Sequence, residues 1–121
     1  MDVMTKYLIL IYGDEQEWAA MSDEERRALG EGHRRFVAAA GSAVLGTHEL
    51  EPAEVATTLR TDSAGRAVRM DGPFLEAKEA VGGYYLVDVP DLDEVMDLAA
   101  LLYEASAGHS GVEIRPVVAP G

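Results

Sequence analysis

The chain has 121 residues, 48% apolar and 26% charged, which suits one soluble globular domain with a real core rather than a disordered chain. Ten basic against 22 acidic residues give a net charge of −12, a surface that repels nucleic-acid phosphates and anionic lipid. The absence of cysteine excludes disulfides and thiolate metal sites.

YLILIY at 7–12 is too short to span a bilayer, and no basic n-region with an apolar h-region opens the chain. A cytoplasmic protein without a signal peptide is therefore the expectation. TKYLILIY (5–12) reads as a strand. A loop with room for a helical turn follows, and then Ser22 and Glu25 make a capping box. Leu29, His33, Phe36, Val37 and Ala40 recur at helical spacing behind it, and Gly41 is a natural stop. SAVLGTHELE (42–51) reads as a second strand, closed by Pro52. VATTLRT and GRAVRM flank the turn-rich Asp62-Ser63-Ala64-Gly65 and predict a β-hairpin. GYYLVDV (83–89) is a further strand, and Asp91 with Glu94 forms a second capping box. Leu92, Val95, Met96, Ala99, Leu102 and Tyr103 form the apolar stripe of a second helix, and GVEIRPVV (111–118) is the last strand.

The order β-α-β-(hairpin)-β-α-β predicts an α+β fold, a ferredoxin-like split βαβ with an inserted hairpin, spanning 1–121 as one domain. Crossover handedness puts both helices on one face of the sheet. Yet Tyr7, Ile9 and Ile11 alternate with Leu8, Leu10 and Tyr12, while Tyr85, Val87 and Val89 alternate with Tyr84 and Leu86. Both faces are apolar, and the chain has no spare element to cover the second. A homodimer with sheets face to face is expected.

MDGPFLEAKEAVGGYY (70–85) links two strand-like runs through about a dozen residues, long against a typical loop of roughly 4–6. Gly72 and Pro73 predict a rigid corner, with Phe74 buried to pin it and Asp71 held in place. Asp71 either serves as a reactive carboxylate or only caps its own turn.

DGPFLEAKEAVGGYYLVDVPDLDE, preceded by KYLILIYGDE and followed by GVEIRPV, resembles YCII-related proteins of the DGPF-domain type from residue 6 to about 118. The resemblance implies a dimeric α/β barrel built on the ferredoxin-like pattern. It also brings many bacterial relatives, some encoded near extracytoplasmic-function sigma factors. It further implies a His on the first helix paired with an Asp shortly after it. His33 stands where that His would be, but RRFVAAAG after it holds no carboxylate, so Asp71 becomes the first candidate partner.

His33 and Asp71 are thus the candidate catalytic pair, His33 because it titrates near neutral pH. The bland alternative for His33, on a stripe with Leu29 and Phe36, is a hydrogen-bonded core residue. Tyr12, Trp18, Tyr84 and Tyr85 are candidates to line a substrate pocket, or else ordinary core and interface packing. Lys78 and Arg115 are candidates to balance a substrate anion, or to pair with neighbouring acids. His33, His48 and His109 lack zinc-ligand spacing, and no metal or cofactor is expected. Three readings follow. The first is a cofactor-independent enzyme doing acid–base chemistry on a small organic molecule, such as isomerisation, lactone opening or dehydration. The second is a non-catalytic small-molecule sensor or accessory protein, for which the resemblance suggests a sigma-factor circuit. The third is a purely structural dimer. Partners are a second copy and a small ligand, with neither nucleic acid nor membrane.

Overall fold

The computed structural model describes residues 3–120. Strand β1 (Thr5–Asp14) leads through a short helix α1 (Glu15–Ala19) into the long helix α2 (Asp23–Ala40). Strand β2 (Val44–Glu49), the hairpin β3 (Thr57–Thr61) and β4 (Ala67–Asp71), and β5 (Glu79–Val89) follow. Helix α3 (Leu92–Ala99), a 3₁₀ turn at Tyr103–Ala105 and β6 (Ser110–Pro116) complete the chain. Among the described residues no helix is long and apolar enough to cross a membrane.

The N-cap half of each expected capping box forms as its spacing demands. Ser22 Oγ accepts from Glu25 N at 3.1 Å, and Asp91 Oδ1 accepts from Glu94 N at 2.9 Å, each satisfying an orphan donor of the first turn. Gly41 closes α2 with φ 55°, a left-handed value that costs glycine nothing. The third helix is shorter than its apolar stripe suggested. It ends at Ala99, and Leu92 and Met96 stay exposed while Val95, Ala99 and Leu102 are buried. The narrower stripe suits one turn of contact with the sheet rather than three.

Four strands form an antiparallel sheet in the order β2-β5-β1-β6. β5 lies between β1 and β2, which α2 connects, so the chain has the split β-α-β connectivity of an α+β fold. Alternation along the strands decides the faces. Tyr7, Ile9, Ile11, Tyr85, Val87 and Val89 turn inward and form one core with Phe36 of α2, Val95 and Ala99 of α3, and Leu102. Leu8, Leu10, Tyr12, Tyr84 and Leu86 turn the other way, half-buried by one another, and none joins that core.

The hairpin forms a separate two-stranded sheet. Its turn is locked by Asp62, whose Oδ1 accepts from Ala64 N and Arg66 N at 2.9 Å each. These bonds hold the Asp62 carboxyl below its ordinary range, the Arg66 amide contributing most. Two expectations for the Asp71 corner fail. Strand β5 starts at Glu79, so the connecting loop runs only from 72 to 78, and Phe74 is 61% exposed. Phe74 is held on the surface by Arg60, whose guanidinium lies 4.0 Å from the ring centroid. The corner itself is firm. Gly72 N donates to Ala56 O at 2.7 Å, and Thr58 Oγ1 donates to Gly72 O at 2.8 Å.

Phe36 is fully buried, and its ring lies 4.3 Å from that of Tyr85, centroid to centroid. Phe36→Ala should therefore cost about 3–5 kcal/mol of unfolding free energy, read from urea denaturation, while Val37→Ala on the exposed side of α2 should cost under about 1 kcal/mol.

Candidate active site

A cavity of about 460 Å³ opens between α2 and the β2–β5 end of the sheet. Its lining includes Ile11, Trp18, Met21, Leu29, His33, Thr47, Tyr85 and Glu104. His33 is its chemical centre. Its Nδ1 lies 2.7 Å from the Tyr85 hydroxyl, and its Nε2 lies 3.0 Å from both Glu104 oxygens. A carboxylate only accepts, so Nε2 carries a proton toward Glu104 and the bare Nδ1 accepts the Tyr85 O–H. Glu104 is 5% exposed, a depth at which an unpaired carboxylate would cost several kcal/mol. The His33 ring stacks beside Tyr85 at 5.7 Å and 26°.

Backbone geometry makes this meeting possible. A Cβ on Gly32 would sit 2.8 Å from Leu101 O and 3.0 Å from Tyr103 N. Only a glycine lets α2 press against the chain leaving α3, and that contact carries Glu104 up to His33. Tyr85 comes from the inward row of β5, opposite Ile9 of β1. Burial pushes its phenol above the ordinary value of about 10, and the Glu104 charge pushes the same way, with the Thr47 side chain opposing.

One wall of the cavity is Trp18. Its indole lies against Gly13 and Gly82, where an added Cβ would fall within 2.3 Å and 2.6 Å of ring atoms. Gly82 is the extra residue of the β1–β5 bulge, since Ile11 pairs with Gly83 and Tyr12 with Val81. Trp18 Nε1 donates to Ser110 Oγ at 2.9 Å, and Ser110 Oγ lies 2.7 Å from His109 Nδ1. His109 in turn faces Glu25, whose carboxyl the Tyr103 hydroxyl holds below its ordinary range.

The sequence-based candidates divide. His33, Trp18, Tyr84 and Tyr85 border the cavity. Asp71 does not reach His33. It lies in the separate hairpin, its side chain 88% exposed and 3.4 Å from Arg69, and both His33 nitrogens are already taken by Tyr85 and Glu104. The expected His33–Asp71 pair is therefore corrected to His33–Glu104. Lys78 pairs with Asp14 at 3.7 Å, bracing the loop. Arg115 pairs with Glu113, and Tyr12 sits on the outward face, so neither Lys78, Arg115 nor Tyr12 borders this cavity. The Tyr84 hydroxyl lies 2.8 Å from His48 Nδ1. Sequence reasoning did not single out Glu104. The usable signal was its place in an otherwise apolar stretch, LLYEA at 101–105.

Comparison with known proteins settles the lineage. Residues 5–119 match the family model of the YCII-related domain. The chain belongs to the YCII-related family. A relative from Rhizobium meliloti (strain 1021), described as an uncharacterised protein, is 39% identical over 115 residues, covering 92% of this chain and 90% of its own. The resemblance implied a carboxylate just downstream of the helix histidine. This YCII-related chain instead presents one from 71 residues further on, across the core.

The Tyr85 phenol yields a signed prediction. Its folded-state pKa is raised, so its contribution to stability is complete below the unfolded value near 10 and is lost as pH climbs through the folded value. Glu104→Gln removes the charge that adds to this rise. Tyrosine-selective NMR should show the Tyr85 titration moving to lower pH in Glu104→Gln, and an unmoved titration would contradict the Glu104 contribution.

Proposed function

We propose that this chain is a cofactor-independent catalyst of proton transfer on a small organic molecule, with Glu104, His33 and Tyr85 as a relay. The supporting observation is the unbroken contact from a buried carboxylate through both imidazole nitrogens to a phenol at a cavity. The substrate proton passes to the Tyr85 oxygen as the Tyr85 proton passes to His33 Nδ1. The phenol stays neutral throughout, in keeping with its raised pKa. The imidazolium so formed keeps its Nε2–H on Glu104, which stabilises the positive charge that develops. Return of the proton to a different atom of the substrate gives isomerisation, and loss of a leaving group before return gives elimination. A sensor would need the cavity but not the ordered relay, so the relay favours catalysis.

The outward row Leu8, Leu10, Tyr12, Tyr84 and Leu86 supports a second part of this reading. Among the described residues no helix covers it, and contiguous apolar surface of this kind is normally closed by a partner. A second copy stacked sheet to sheet covers both rows with one two-fold contact and makes a dimeric barrel.

Two measurements test these proposals. Exchange of carbon-bound hydrogen for deuterium in a panel of small ketones, lactones and hydroxy acids, followed by NMR in D₂O, should reveal substrates. His33→Gln and Tyr85→Phe should then slow exchange by roughly 10²–10⁴-fold. No His33-dependent exchange across the panel would end the catalytic reading. Light scattering should give twice the chain mass, and Leu10→Glu, which sets a charge in the outward row, should shift it to one chain mass; a monomeric wild type would end the dimer reading.

A further inference from the structure

The anchor for the substrate was expected from Lys78 or Arg115, and both are committed elsewhere, to Asp14 and Glu113. The cation at the cavity is Arg26, on the first turns of α2. Its Nη2 donates to Trp18 O and Ala19 O, each at 3.1 Å, satisfying carbonyls at the end of α1. This fixes one edge of the guanidinium. Arg26 enters none of the seven ion pairs among the described residues, in a chain with 22 acids. Its Nε and Nη1 donors hold no hydrogen bond to another described residue.

Arg26 also sits where two spaces meet. A second cavity of about 480 Å³, bordered by Glu15, Leu50, Glu51 and Pro52, shares Trp18, Arg26, Glu49 and Gly82 with the first. Trp18 and Arg26 thus stand together at the junction between the relay chamber and its outer neighbour. The indole is rigidly seated on Gly13 and Gly82 and tethered to Ser110. A ring that cannot turn is a stacking surface for a flat molecule, and a guanidinium with one edge already anchored loses little freedom on gripping a carboxylate.

Resting on the proton-transfer reading of the same site, we propose that its substrate is a small, flat organic acid whose carboxylate is held by Arg26 beside Trp18. The unsaturated body then lies in the relay chamber, toward Tyr85 and His33. The nearby Glu49 carboxylate and the net charge of −12 both oppose an anion, so binding depends on Arg26 alone among the neighbours of the junction.

Trp18 is the only tryptophan, so its fluorescence reports this junction directly. Benzoate titrated into the full-length protein should change that emission saturably, and benzamide, of the same shape without the charge, should bind about tenfold more weakly. Arg26→Gln should weaken benzoate about tenfold, leave benzyl alcohol unchanged, and abolish the preference for benzoate, while Arg26→Lys should restore part of it. That pattern separates a carboxylate contact from simple loosening of α1, which would weaken all three probes together. Equal affinity for benzoate and benzamide, or benzoate binding unaffected by Arg26→Gln, would overturn the proposal. The preference for benzoate over benzamide should survive in His33→Gln, because that preference is set at Arg26 and not by the relay. Arg26-dependent binding without His33-dependent exchange would therefore remove the relay alone, and exchange confined to uncharged substrates would remove the anchor alone.

Discussion

A carboxylate buried in an acidic protein has to be answered locally. Glu104 lies at 5% exposure in a chain of net charge −12, where no surplus of positive charge is available to offset it. His33 answers it from α2 with a single N–H shared by both carboxylate oxygens. That one interaction fixes the tautomer of the imidazole, aims Nδ1 at Tyr85, and ties α2 to the chain that follows α3. Gly32 makes the tie geometrically possible, because the two backbones meet where a Cβ would stand. Remove the close approach and the carboxylate, the base and the phenol no longer share a line.

Much of the fold was legible from alternation and caps. The inward and outward rows of β1 and β5 follow from the period of two alone, and the two capping boxes place the starts of α2 and α3 to the residue. Errors came where local pattern and tertiary contact part company. Leu102 and Tyr103 continue a helical stripe that the chain abandons after Ala99, where the turn toward β6 begins. Phe74 was expected to be buried to pin the corner, yet it lies exposed beneath the Arg60 guanidinium.

The site was legible one side at a time. His33 could be placed on the body-facing stripe of α2 from spacing, Tyr85 only on one of the two apolar rows of its strand, and Trp18 could be suspected as a wall. Nothing in the spacing joins position 33 to position 104, because the contact depends on how closely α2 approaches the Leu101–Tyr103 backbone. Asp71 drew attention through a distinctive local string that organises its own corner: Gly72 bonds to Ala56 and Thr58 there. Asp71 of the conspicuous motif and Tyr85 of the His33–Glu104–Tyr85 cluster lie in different sheets of this chain.

The separation has a physical logic. A relay that moves protons works best when its members are rigid and partly shielded from water, and the four-stranded sheet with α2 packed upon it supplies that setting. The hairpin supplies the opposite: exposed strands, exposed Leu59, Met70 and Phe74, and a tight turn locked by Asp62. A two-stranded ribbon of this kind is marginal alone, so its sharply specified turn and corner make sense as preparation for contact rather than chemistry. The outward sheet row is a second apolar surface that no described helix covers, and it includes residues of β5, the strand that carries Tyr85 inward. Neighbouring residues Tyr84 and Tyr85 thus face the expected subunit contact and the relay respectively. In the proposed dimer a shift of β5 would reach the phenol within one residue, because the pleat of a single strand joins its two faces.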